Sequence, residues 1–449
     1  MNKYIERVLE ETRAKNPDEK LFLQTVEEVL LSVEPLINAH PEYEAACILE
    51  RMVEPERAIE FRVVWMDDQL KYHVNRGYRV QFNASLGPHK GGLRFSKAVN
   101  LDTIKFLGFE QVYKDALTCL PIGGAKGGSD FDPIGKSDGE VMRFCQAFMT
   151  ELIRHIGPDV DVPAGDVGVG GREIGYLYGQ YRRIKGAAEL GAMTGKDIKT
   201  GGSILRPEAT GYGAVYYLEE VLKHDGLQIA GKKLAISGFG NVAWGIMKKA
   251  AELGAAVTYF AGPDGYVHDP EGIVTEEKLN FILDMRAKDP MHCKPYADKF
   301  GCEFHEGKCW GVKDVDVYMP AAIQNDVNMD WAKKIAESGV KYYIEVANMP
   351  TTNDALFFLK EQKHMLVAPS KAVNACGVSV SELEMAQNSA RLYWDAEEVD
   401  AKMHKIMTNI YKSSAEAAER YGLGYDLVAG ANLAGFQKVA DAMMCQGIF

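Results

Sequence analysis

A chain of 449 residues is too long for one ordinary hydrophobic core, so two domains are expected. A hydrophobic share of 47% beside 25% charged residues is globular and excludes a disordered chain. The formal net charge of -12 argues against nucleic acid or an anionic membrane as the main partner, yet leaves room for a small anion held by a local pocket of lysines.

The first residues carry Lys3, Glu6 and Arg7 where a signal peptide would carry its apolar core, and no uncharged run reaches the length of a membrane span. A soluble, cytoplasmic protein is expected. Eight cysteines scattered along the chain fit reduced thiols. His292, Cys293, Cys302, His305 and Cys309 are zinc-ligand types, but no Cys-x2-Cys knuckle anchors them, and no metal is expected.

From Lys3 to about His40, apolar residues such as Val8, Leu9, Phe22, Val26 and Leu30 recur at helical spacing. Residues 58–65 and 78–83 alternate apolar and polar as strands do, with a turn at 67–69. Residues 87–95, Gly-Pro-His-Lys-Gly-Gly-Leu-Arg-Phe, follow, and then a helix over 103–117. That helix carries Gln111 and Lys114, and Lys114 lies one turn past Glu110, as an ordinary ion pair would.

Residues 120–129 place Lys126 among four glycines, which reads as a tight loop. A lysine held there away from water has its charged form disfavoured and its pKa lowered, which suits carbonyl or imine chemistry. The loop lacks the Gly-Lys-Ser/Thr ending of a phosphate loop. Another helical run, 138–156, leads to Asp166, a carboxyl flanked by glycines; such a residue can be a turn former or a general acid.

Gly201, Gly202 and Ser203 mark a hinge, and Pro207 opens a helix. A strand at 232–237 then runs into Gly238-Phe239-Gly240-Asn241-Val242-Ala243, a helix to 253 and a second strand at 256–260. This is the Gly-x-Gly-x-x-Ala dinucleotide fingerprint in its strand-turn-helix setting, with the pyrophosphate at the helix N-terminus. Apolar runs at 315–319, 342–346 and 365–368 add buried strands to the same sheet. Asp264, 26 residues past Gly238, is placed to meet a ribose, or else belongs to a Pro-Asp-Gly turn. No Lys or Arg lies between Val257 and His268 to receive a 2′-phosphate, which favours NAD over NADP.

The motifs at 87–95, 121–128 and 163–170, with Arg206-Pro207-Glu208-Ala209-Thr210-Gly211 and Ser379-Val380-Ser381-Glu382, closely resemble those of the glutamate dehydrogenases, in order along nearly the whole chain. The resemblance is greatest to the hexameric bacterial type. It implies an α/β fold: an N-terminal substrate domain with a mixed sheet (1–202, joined by 426–449, which also serves oligomerisation) and a Rossmann-like, doubly wound dinucleotide domain (203–425), closing over a cleft. It implies NAD-linked, reversible oxidative deamination of L-glutamate to 2-oxoglutarate and ammonium by a homohexamer.

By the same resemblance, Lys90 and Ser381 would hold the side-chain carboxylate, and Lys114 with Gln111 the α-carboxylate. Lys126 would be the catalytic lysine and Asp166 the proton-transfer residue. Gly238 and Gly240 would take the pyrophosphate, Thr210, Asn241 and Asn348 would line the cofactor site, and Asn374 would lie near the nicotinamide. Alternatives are an NADP-linked enzyme, a branched-chain or aromatic amino-acid dehydrogenase, and a nucleotide-binding regulator without activity. Two departures from the family pattern stand out. His89 replaces a tyrosine, and Cys376 replaces a glycine, so that sensitivity of activity to thiol reagents is expected.

Overall fold

The computed structural model describes residues 1–448; Phe449, the end of the C-terminal segment assigned to the first domain, lies outside them. Alternating apolar residues build a hairpin of β1 (Arg57–Met66) and β2 (Tyr72–Asn83), paired antiparallel. Next come β3 (His89–Phe95), β4 (Gly124–Ser129) and β5 (Asp161–Gly165). The sheet has the order β1-β2-β4-β3-β5, with β2 antiparallel to β4 and β3 parallel to both β4 and β5.

The glycine-lysine stretch is therefore a buried strand and not a loop. Its glycines serve close strand packing: a Cβ on Gly91 of β3 would stand 1.6 Å from the Ala125 carbonyl oxygen of β4. Beneath these strands Arg79 and Asp161, both with fully buried side chains, form an ion pair, with Arg79 Nε donating to Asp161 Oδ2 at 2.8 Å. Arg79 Nη1 also donates to the Gly91 carbonyl at 3.0 Å, tying β2 to the strand that bears Lys90.

The Leu101–Leu117 helix lies on β4, and the Asp138–Leu152 and Gly171–Lys185 helices pack together over an apolar core including Trp65, Phe95, Phe131, Phe144, Phe148 and Tyr181. The single amphipathic run expected from Lys3 to His40 is broken into helices Lys3–Lys15, Lys20–Ser32 and Glu34–Ala39.

The second sheet comprises β6 (Lys233–Ser237), β7 (Ala256–Gly262), β8 (Gly265–His268), β9 (Glu303–His305), β10 (Val317–Pro320), β11 (Tyr342–Ile344) and β12 (Leu366–Ala368). In the order β12-β11-β10-β6-β7-β8-β9, β12 through β7 are parallel and β8 and β9 antiparallel. The order reverses at β6, whose neighbours β7 and β10 continue in opposite directions. That is the switch point of a doubly wound sheet, where ligands bind at strand carboxyl ends.

The chain folds into two units. The first takes Met1–Ile204, Val378–Val399 and the stretch from Asn432; the second takes Leu205–Gly377 and Asp400–Ala431. Against the expected division at 202/203 and 425/426, residues 203–204 and 378–399, the latter including Ser381, belong to the first unit, and residues 426–431 belong to the second. Among the described residues, no helix is long and apolar enough to cross a membrane.

Candidate active site

In the first unit, Lys90 stands on β3, Lys126 on β4 and Lys114 on the Leu101–Leu117 helix. Lys90 is 1% exposed and Lys126 6%. The helix closes on β4 at Gly124, where a Cβ would fall 2.5 Å from Val112 Cγ2, and Gly108 of the helix faces Lys126, a Cβ there lying in ordinary contact at 3.6 Å from Lys126 Cβ. Gln111 and Asp115 follow Gly108 at i+3 and i+7, so all three share that face.

Asp166 follows β5 directly. Arg94 Nε donates to its Oδ2 at 2.7 Å, and Lys126 Nζ lies 3.2 Å from the same oxygen. Burial raises the Asp166 pKa, but Lys126 and Arg94 outweigh burial and hold the carboxyl below its ordinary value. Asp166 is thus ionised at neutral pH and equipped to accept a proton. Burial lowers the Lys126 pKa, against the pull of Asp166 and with the push of Arg94.

Burial likewise pushes the Lys114 ammonium down to about 8, opposed by Asp115 and helped by Lys126. Asp115, fully buried, is pushed by burial up to about 8 despite Lys90, Gln111, Lys114 and Lys126. Gln111 Nε2 donates to Asp115 Oδ1 at 2.6 Å, so one of its amide hydrogens is committed there. Ser381 is buried on the Cys376–Ala390 helix, whose Glu382 lies within electrostatic reach of Lys90.

Arg94 and Asp115 are site residues that the sequence did not single out. Strand periodicity could have found Arg94: Lys90, Gly92 and Arg94 lie on one face of β3, and a Cβ on Gly92 would stand 2.8 Å from Asp166 Cβ. His89 Nε2 lies 3.0 Å from a Glu56 carboxylate oxygen.

In the second unit, the turn after β6 has Gly238 at φ +86°. A Cβ at Gly238 would approach Ala322, just past β10, to 3.2 Å. Gly240 is the N-cap of the Asn241–Glu252 helix, whose first N–H groups have no intrahelical partner. Asn241 Oδ1 accepts from Arg286 Nη2 at 2.6 Å.

Asn374 Nδ2 donates to the Val346 carbonyl and to Asn348 Oδ1, each at 2.9 Å. Asn374 Oδ1 is buried with no hydrogen-bond partner among the described residues. A buried, unanswered amide oxygen fits a dinucleotide whose carboxamide N–H can donate to it. Thr210 lies against the same region, with its Oγ1 2.7 Å from where a Gly377 Cβ would stand.

Asp264 is otherwise engaged. Its two carboxylate oxygens accept from the Cys293 and Lys294 N–H groups at 2.9 and 3.1 Å, at the start of the Lys294–Phe300 helix. The Pro-Asp-Gly turn after β7 is its structural place. Cys293 Sγ donates to the Gly265 carbonyl and Cys309 Sγ to the Ile236 carbonyl.

Cys376 is buried, and burial pushes its thiol pKa up. Room for it comes from Gly213, where a Cβ would fall 2.2 Å from Cys376 Cβ. The expected sensitivity of activity through this thiol is therefore revised, because buried thiols are inert. Iodoacetamide on the native protein should leave Cys376 unlabelled while exposed Cys47, Cys119 and Cys445 react, as read by peptide mapping. Labelling of Cys376 in step with loss of activity would contradict this.

Known proteins resemble this chain over its whole length. The sequence profile of the Glutamate/Leucine/Phenylalanine/Valine dehydrogenases matches residues 201–447, and that of their dimerisation domain matches residues 55–183. The chain is 66% identical to the NAD-specific glutamate dehydrogenase of Clostridium symbiosum, covering 100% of both chains. It is 52% identical to the NAD-specific glutamate dehydrogenase of Bacteroides fragilis, covering 99% of each. A solved glutamate dehydrogenase structure superposes with a TM-score of 0.97 at 66% identity over 100% of both chains.

Proposed function

The chain belongs to the glutamate/leucine/phenylalanine/valine dehydrogenase family, and from that premise we propose that it catalyses the reversible, NAD-linked oxidative deamination of L-glutamate to 2-oxoglutarate and ammonia. The observation that carries the choice of substrate is the set of lysines in the first unit, with buried Lys90 and half-buried Lys114 on separate elements. Glutamate has two carboxylates and needs two cationic anchors. A leucine or phenylalanine side chain brings no charge to the buried ammonium of Lys90.

In the proposed mechanism Lys90 and Ser381 hold the side-chain carboxylate, while Lys114 and the remaining Gln111 amide hydrogen hold the α-carboxylate. NAD, when bound, supplies the acceptor for the hydride that leaves Cα. Gly238, Gly240 and Asn241 would hold its pyrophosphate, Thr210 and Asn348 would line its site, and Asn374 Oδ1 would accept from its carboxamide. Asp166, ionised beside Lys126 and Arg94, takes a proton from the substrate ammonium, giving the neutral amine whose lone pair assists hydride departure. Water then adds to the imine carbon. Asp166 carries protons between that water and the departing nitrogen, and the Lys126 ammonium stabilises the negative charge that develops on oxygen.

Assembly as a homohexamer is part of the proposal. In the region matched by the dimerisation profile, β1 is an edge strand, and Val64, Tyr72 and Val74 of the hairpin are exposed. The free thiols fit a reducing, cytoplasmic setting.

The function is tested by following reduced cofactor with glutamate, leucine or phenylalanine, each offered NAD and then NADP. Turnover is expected with glutamate and NAD far above every other pair. Preference for NADP or for an apolar amino acid would overturn the assignment, and no turnover with any pair would favour a binding protein instead.

A further inference from the structure

Lys196 and Glu384 form an ion pair whose side chains are 0% exposed, at a place the mechanism above does not use. The Lys196 ammonium spends all three of its donors: on Glu384 Oε1 at 2.6 Å, on Asn388 Oδ1 at 2.9 Å and on the Met193 carbonyl. Glu384 also accepts from the Gly195 and Lys196 N–H groups at 2.9 and 3.4 Å, and Asn388 Nδ2 donates to the Gly201 carbonyl at 2.7 Å. Residues 193–201 are thereby fastened at several points to one face of the Cys376–Ala390 helix, through residues 384 and 388 that lie with them in the first unit.

A buried ion pair of this kind is weak support for stability, because desolvating both charges offsets their attraction. What it does supply is geometry. Helix packing through Val378 and Met385 against Ile122 and Val162 is apolar and would tolerate sliding or rotation. The directional bonds of Glu384 and Asn388 do not. Ser381 precedes Glu384 by three residues, less than one turn, and so shares its face of the helix. Val162, against which that helix packs, is paired in register with Lys90.

We propose that Glu384 is a positioning residue which, through Lys196, fixes the axial and rotational setting of Ser381 beside Lys90 and so sets the enzyme's selectivity for an amino acid with a side-chain carboxylate. This rests on the assignment of Ser381 to that carboxylate. An error of about an ångström in Ser381 weakens its contact with glutamate but leaves a substrate lacking the carboxylate untouched.

The test compares Glu384→Gln, Ser381→Ala and the apolar double variant Lys196→Met/Glu384→Leu with the unaltered enzyme. KM and kcat are measured for glutamate and for norvaline, which has the same carbon chain without the carboxylate, along with KM for NAD and the thermal midpoint. Glu384→Gln and Ser381→Ala should each raise KM for glutamate about tenfold or more, with KM for norvaline and for NAD changing less than about twofold. The double variant should recover the thermal midpoint but not the glutamate KM.

If Ser381→Ala shifts selectivity and Glu384→Gln does not, the positioning role is wrong. The same holds if the double variant restores glutamate KM together with stability, since the network would then be merely structural. If Ser381→Ala itself leaves selectivity unchanged, the assignment of Ser381 fails, and the inference with it.

Discussion

Replacement of Asp166 by asparagine is expected to lower kcat for glutamate oxidation by about 10³-fold while leaving the Kd for NADH within about twofold. Asparagine keeps the shape of the side chain and an oxygen to accept from Arg94 Nε, so the loss would be that of the proton acceptor. The pH profile carries the same signature. Burial opposes ionisation of Asp166, but Lys126 and Arg94 overcome it, so the acid limb contributed by this carboxyl should fall below the ordinary carboxylate range. In Asp166→Asn that limb should vanish. Retention of kcat within about tenfold, or loss of NADH binding along with activity, would remove Asp166 from its proposed role.

Replacement of Lys90 by methionine should lower kcat/KM for glutamate on the order of 10²- to 10⁴-fold, because a carboxylate taken out of water without its cation loses about 3–5 kcal/mol. Most of the loss should appear in KM, and norvaline should gain relative to glutamate. Lys114 leaves a complementary mark on pH dependence. Burial lowers its pKa to about 8, so binding of 2-oxoglutarate, which has no amine of its own to titrate, should weaken as pH rises through about 8 and the ammonium is lost. A Lys90→Met enzyme that keeps its preference for glutamate over norvaline would contradict the anchor assignment.

Local chemistry in the sequence was enough to place the dinucleotide unit. The strand at β6, the turn at Gly238, the Asn241–Glu252 helix and β7 follow one another without long-range help, and their spacing alone identifies them. The glycines around Lys126 read locally as a loop, although residues 124–129 form a strand. Glycines show no apolar alternation, and the strand state of residues 124–129 is decided by pairing with β2 and β3, where Lys126 faces Val80.

Long-range partners were the least visible. Arg94 lies 72 residues from Asp166 and Glu384 lies 188 from Lys196, and no local pattern links either pair. The same distance hid the return of residues 378–399 to the first unit. Asp264 illustrates the opposite hazard: a carboxylate at nearly the expected spacing turns out to be committed to two backbone N–H groups. NAD preference therefore rests on the lack of cations between Val257 and His268 and on the NAD-specific relatives, more than on that acid.

The most direct measurement is a product balance on the purified protein supplied with L-glutamate and NAD. Equal amounts of NADH, 2-oxoglutarate and ammonium should form, and added ammonium with 2-oxoglutarate and NADH should run the reaction backward to glutamate. Formation of NADH without matching ammonium, or no reaction with this pair under conditions where NADP supports turnover, would contradict an NAD-linked glutamate dehydrogenase.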